Sequence, residues 1–250
     1  GMIALVAAMM GTSLWAVDAS VIGEIVTQSA IGSAWVVRMV AVAIALVAAL
    51  ALGRSPNHAR YWLLASTALA IATLVWMGHA GATEGWTGTF HRLSDIVHML
   101  AAAVWIGGIA AFSWLLFQPL AHQSDAQIRI AHRALKQFSR VGTLAVGLIV
   151  LTGLINSLIL MGLPHPDTLF ASRYGQLLLI KLAMFAAMLV LAGANRWRLT
   201  PALGVAIADG NPARALRCLR QSLVLEASAA LTILAVVAWL GTLEPTMANG

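Results

Sequence analysis

His91-Arg-Leu-Ser-Asp95-Ile-Val-His98 runs without a break into Met99-Leu-Ala-Ala-Ala-Val-Trp105-Ile-Gly107-Gly108-Ile-Ala-Ala-Phe-Ser-Trp-Leu-Leu-Phe117. The second segment reads as a transmembrane helix, which takes about 20 predominantly apolar residues. The first places two imidazoles and a carboxylate at the mouth of that helix. Positions 91, 95 and 98 stand at i, i+4 and i+7, so a helix gathers them into one narrow stripe. Hydrocarbon penalises such groups unless partners, water or a metal satisfy them. An ionisable cluster within a span is a candidate functional site on that ground.

The rest of the chain has the same character. Hydrophobic residues make up 60% and charged residues 10%, where a soluble domain has roughly 45–50% and about 25%. Apolar runs alternate with short polar stretches, and seven spans are predicted at roughly 2–17, 34–53, 61–78, 93–117, 138–161, 174–194 and 222–241. No segment alternates at period two, which argues against a barrel. The expected fold is all-α, a polytopic transmembrane helical bundle, with residues 1–250 forming a single integral-membrane domain. The first span is short, and no charged region precedes it as in a signal peptide. Gly1 ahead of Met2 reads as a cut, so further sequence upstream is expected.

Basic residues orient the spans. The connections around 54–60, 118–137 and 195–221, with Arg140 just inside, hold 11 of the 15 Lys and Arg. These connections are expected in the cytoplasm, which leaves the C-terminus outside. Six of the nine acids, including Glu84 and Asp95, belong to the outer side. The net charge of +6 is then a topology signal, and a nucleic-acid partner is not needed to explain it. Arg129, Arg133, Lys136 and Arg140 recur at helical spacing, as on a surface helix lying against anionic lipid heads. The single Cys218 excludes a disulfide framework.

Depth estimated from the rise of about 1.5 Å per residue brings several polar groups to the same level, within roughly 10 Å of one another near the outer leaflet. They are Arg38 in the second span, Met77 and His79 at the end of the third, Asp95 and His98 in the fourth, Asn156 in the fifth and Lys181 in the sixth. His98 is the expected direct ligand, because it lies deepest and a lone imidazole there is costly. His79 and His91 are further candidate ligands. Asp95 is expected to orient an imidazole through its second nitrogen. Soft thioethers suit Cu(I), which makes Met77 beside His79 the methionine of interest. Arg38 and Lys181 can balance charge, snorkel or form structural ion pairs. Asn156, one turn from Thr152, can equally join helices. Glu226 lies near the inner end of the seventh span, with Arg140 or Arg196 as its expected partner.

The order of short motifs is similar to that of the copper-resistance D family (CopD/PcoD-like). The resemblance rests on Gly78-His79-Ala80; His91…Asp95…His98 followed by Trp105-Ile-Gly107-Gly108; Thr27-Gln28 with Trp35 and Arg38; and Phe138-Ser139-Arg140. It continues through Thr152-Gly153-Leu-Ile-Asn156, Leu179-Ile-Lys181-Leu, Asn195-Arg196 with Thr200-Pro201, Glu226, and Leu240-Gly241-Thr242-Leu-Glu-Pro245. It implies an inner-membrane protein of periplasmic copper handling, associated with uptake toward the cytoplasm, with outer-face positions matching His79, His91, Asp95 and His98. It also implies eight spans, one of them upstream of this chain.

Three functions are expected, in this order. The first is copper capture at the outer face from a periplasmic carrier protein, with possible passage inward. This is binding or transport rather than enzymatic chemistry, and no nucleotide motif is present to couple it to ATP directly. The second is a haem-b redox protein with axial imidazoles from His79, His91 or His98, and with Arg38 and Lys181 facing the propionates. His91 and His98 share one helix face and so do not readily clamp one haem between them. The third is a non-catalytic assembly partner among membrane lipids. The topology itself is testable by cysteine accessibility. A cysteine at position 84 is expected to label from the outer side, and labelling only from the cytoplasmic side would contradict the orientation.

Overall fold

The computed structural model describes residues 10–78, 85–117, 125–161 and 172–243, together with positions 3, 6, 7 and 170. The helices among them are α1 (Ala19–Gln28), α2 (Ala30–Ala51), α3 (Pro56–Ala72), α4 (Gly85–Leu116), α5 (Asp125–Met161), α6 (Arg173–Ala194), α7 (Thr200–Ala208) and α8 (Ala213–Leu240). A 3-10 turn, Thr73–Met77, continues α3, and a π-helical turn, Asn195–Leu199, joins α6 to α7. Six stretches are long and apolar enough to cross a membrane: Ala30–Ala51, Pro56–Met77, Gly85–Leu116, Ala126–Leu160, Arg173–Ala208 and Ala213–Leu240. They correspond to six of the seven predicted spans, and the fold is the expected all-α membrane bundle. Within the predicted first span, 2–17, positions 2, 4, 5, 8 and 9 lie outside the described residues. Its end, Leu14–Ala16, is a short 3-10 turn.

Two compact units divide the chain, residues 1–100 and residues 101–250. In the first, local polar chemistry sets where helices begin. The Asp18 carboxylate caps α1 by accepting from the Ser20 amide at 2.9 Å, which holds that carboxyl below its ordinary range. Ser29 breaks α1 from α2. Its hydroxyl donates to the Ile25 carbonyl at 2.6 Å and accepts from the Gly32 amide at 2.9 Å. A Cβ on Gly32 would stand 2.2 Å from the Ile25 oxygen and 2.4 Å from the Val26 Cα, so this elbow is closed backbone against backbone. Along α2 the buried positions Ala34, Ala41, Ala45 and Ala48 are all small, as membrane helix interfaces prefer. Pro56 opens α3 at a position whose amide has no helical partner in any case.

The second unit packs the end of α4, α5, α6, α7 and α8 around one core containing Trp105, Ile109, Ile149, Met188, Leu203, Leu216 and Leu219. Two edge-to-face pairs stitch it together: Trp105 with Phe185 at 5.7 Å and Phe112 with Phe138 at 5.2 Å between ring centroids. Arg220 of α8 donates from Nε to the Leu116 carbonyl at 2.7 Å, meeting one of the acceptors that a helix end leaves open. Many large apolar side chains point outward, among them Leu46, Val47, Leu64, Val190 and Leu231. In a bilayer these faces meet acyl chains.

Two boundaries differ from expectation. The basic stretch of Arg129, Arg133, Lys136 and Arg140 is the beginning of α5, not a separate surface helix, because neither glycine nor proline interrupts residues 125–141. With 37 residues, α5 is about 55 Å long, well beyond a hydrocarbon core of about 30 Å. The connection predicted after residue 194 is also largely helical. Pro201 lacks the amide that would bond back to Trp197, and the chain widens into the π turn just before it instead of ending the helix.

Close approach inside the second unit generates a test. A Cβ on Gly108 would lie 2.2 Å from the Phe138 ring. Gly108→Ala is expected to cost about 1–3 kcal/mol of stability by overpacking, read as a lower unfolding temperature in detergent. Phe138→Leu added to it is expected to recover part of that loss. Purely additive losses would contradict the packing.

Candidate functional site

In the first unit Arg38 joins α2 to the turn that ends the third predicted span. Its Nε donates to Thr73 Oγ1 at 3.0 Å, Nη2 to the Thr73 carbonyl at 2.7 Å and Nη1 to Met77 Sδ at 2.8 Å. Thr73 Oγ1 in turn donates to the Ala70 carbonyl at 2.8 Å. The guanidinium's fixed fork suits three acceptors on one short turn. All three are neutral, so the positive charge persists at this end of the unit. Arg38 and Met77, read separately from the sequence as a charge and as a thioether, are thus in contact. Thr73 was not singled out. Its signal is its place four residues before Met77, near the end of the same predicted span.

Early in α4, His91 is 2% exposed and Ser94 is also buried, while Asp95 and His98 are half-buried. His91, Asp95 and His98 lie on one helix, as their spacing predicts. Leu93 beside them points outward. His91, Asp95, His98, Asn156 and Lys181 each have an interaction partner. Among the described residues no three His, Cys, Asp or Glu side chains converge as a metal site. His79 lies outside the described residues. Asn156 on α5 and Lys181 on α6 are half-buried members of the second unit.

A second polar cluster occupies the other unit. Glu226 of α8 is 3% exposed, and its Oε1 accepts from Asn195 Nδ2. Arg196 donates from Nη1 to the Ser139 carbonyl at 3.1 Å and to Thr143 Oγ1, and its guanidinium lies 5.7 Å from the Trp197 ring centroid. The expected pairing of Glu226 with Arg140 or Arg196 is therefore replaced by an amide. Successive residues of a helical turn face different neighbours, and here Asn195 faces α8 while Arg196 faces α5. His132 lies close against α7: a Cβ on Gly204 would be 2.9 Å from its Nε2. Cys218 is a free, exposed thiol.

Comparison with known proteins gives agreement along the whole chain. The family model for Copper resistance protein D matches residues 132–240, and that for the Copper resistance protein D-like N-terminal domain matches residues 1–89. The stripe of His91, Asp95 and His98 falls between the two matched segments. Copper resistance protein D of Pseudomonas syringae pv. tomato is 38% identical over 97% of this chain and 78% of its own length. Inner membrane protein YebZ of Escherichia coli strain K12 is 31% identical over 98% of this chain and 79% of its own. Copper transport protein CutJ of Bacillus subtilis strain 168 is 34% identical over 72% of this chain but only 32% of its own length. No solved structure gives a significant match.

The Arg38 clamp predicts a coupling. Arg38→Lys and Thr73→Val are each expected to lower stability by about 1–3 kcal/mol, the cost of leaving a buried polar partner unmet. The double variant should lose less than the sum, because both changes break the same bonds. Fully additive losses in thermal unfolding would contradict the clamp.

Proposed function

Because this chain belongs to the copper resistance protein D family, we propose that it takes up copper at the outer face of a bacterial inner membrane and passes it toward the cytoplasm. The observation that carries this reading is the His91–Asp95–His98 stripe at the start of a membrane helix, with His91 2% exposed. Imidazoles buried in a span are expensive without a function to retain them. Names of relatives support the cargo and the compartment: a copper resistance protein, a copper transport protein and an inner membrane protein.

In this reading His98 is the principal ligand, and His91 and His79 complete the donor set. Met77 joins as a soft donor when its sulfur is released from Arg38, so an arriving Cu(I) competes with the guanidinium for that thioether. Asp95 orients an imidazole through its second nitrogen and offsets the charge of the ion. The C-terminus lies on the periplasmic side, where a carrier protein delivers the copper.

Elemental analysis and an absorption spectrum of purified protein, before and after copper loading, test the proposal. Stoichiometric copper is expected without a Soret band. His98→Ala should lose the copper, while Asp95→Asn should bind it about 10–100-fold more weakly. Folding is checked separately by monodispersity. A well-folded His98→Ala protein with full copper occupancy would overturn the ligand assignment, and a Soret band without copper would overturn the cargo.

A further inference from the structure

A cavity of about 340 Å³ is lined wholly by residues of the second unit, 101–250. That volume falls within the range of small-molecule sites, roughly 300–1,000 Å³. Its walls are largely apolar and include four aromatic rings: Trp105 and Phe112 from α4, Phe138 from α5 and Trp197 from the π turn. Two glycines, Gly108 on α4 and Gly193 one turn before Trp197, make room for two of these rings. A Cβ on Gly108 would lie 2.2 Å from the Phe138 ring, and one on Gly193 would lie 2.9 Å from the Trp197 ring. The π turn presents Asn195, Arg196 and Trp197 in succession to the cavity, and such turns recur at functional sites.

The polar part of the lining includes a buried acceptor that lacks a donor. The Glu226 carboxyl is 3% exposed, and among the described residues it has one partner, the Asn195 amide nitrogen. Asn195 Oδ1 is buried with no hydrogen-bond partner. Arg196, the other charged group in the lining, is bound to Ser139 and Thr143 of α5 and not to the carboxyl. No charged side chain of α4 or α5 lines the space. The lining holds one carboxyl, Glu226, and one guanidinium, Arg196, so a guest of either charge meets a group of its own sign. The complementary guest is uncharged, flat enough to lie between aromatic rings, and carries hydroxyl hydrogens for Asn195 and Glu226. Its remaining oxygen can accept from Arg196.

We propose that this cavity binds a lipid-soluble, hydroxyl-bearing ring compound of the phenol or quinol class, held by hydrogen bonds to Asn195 Oδ1 and Glu226. The reduced, donor-bearing form binds more tightly than the oxidised quinone, which offers acceptors alone.

The test uses the full chain in lipid nanodiscs, with binding measured by native mass spectrometry. The probes are a decyl-tailed benzoquinol, its quinone, and monodecanoylglycerol, a hydroxylated lipid without a ring. The wild-type protein should bind the quinol saturably, the quinone about tenfold more weakly, and the glycerol lipid without saturation. Glu226→Leu and Asn195→Leu should each weaken quinol binding about tenfold or more, whereas Glu226→Gln keeps an acceptor and most of the affinity. Leu223→Trp or, if that variant does not fold, Val146→Trp should fill the cavity and abolish binding. Three results would each overturn the proposal: no saturable quinol binding by the wild type, equal binding of the glycerol lipid, and undiminished binding by a folded cavity-filling variant.

Discussion

Hydrocarbon offers no hydrogen bonds, so a polar group inside this bundle must find its partner within the protein. Helices satisfy the backbone, and local bonds satisfy many of the hydroxyls: Ser66 donates to the Trp62 carbonyl, Thr152 to that of Leu148 and Thr232 to that of Ser228. Longer groups must bridge elements. Arg38 ties α2 to the Thr73–Met77 turn, Arg220 ties α8 to the end of α4, and Asn195 ties the π turn to Glu226. These bridges determine which helix faces meet, while the apolar core supplies contact area without much direction.

The same constraint explains what was legible in the sequence. Long apolar runs have few alternatives in a membrane protein, so six spans and the all-α class could be read directly from hydropathy. Ends were harder to read. The basic stretch before residue 138 looked like a connection because charge ends a hydropathy window, yet charge does not end a helix, and α5 continues through it. The residues after Ala194 also looked like a loop, although a proline that widens a helix into a π turn need not terminate it. The stripe of His91, Asp95 and His98 was legible because one helix carries it. Partners on different helices were not, since depth along a span leaves rotation unknown. Thr73 was missed as the seat of Arg38, and Glu226 was assigned a cation where the structure gives it an amide.

The two polar clusters differ in chemistry. In the proposed copper site, imidazoles on α4 would act with the thioether that Arg38 holds, donors suited to a soft or borderline metal ion. The guanidinium bears on how such a site would work, because it occupies the sulfur and keeps positive charge beside it until the ion arrives. The other cluster, around Glu226, offers oxygen acceptors and aromatic walls, which suit an uncharged organic guest better than copper. Membership in the copper resistance protein D family bears on the first cluster through the names of its relatives, and is silent on the second.

The central claim is that imidazoles of the α4 stripe hold the copper. X-ray absorption at the copper edge of the loaded protein in a native-like bilayer tests it most directly. The account predicts a first shell containing nitrogen, with the outer-shell scattering typical of imidazole, and a reduced imidazole contribution in His98→Ala. A copper shell of oxygen or sulfur alone, or an imidazole signal unchanged by that substitution, would contradict it.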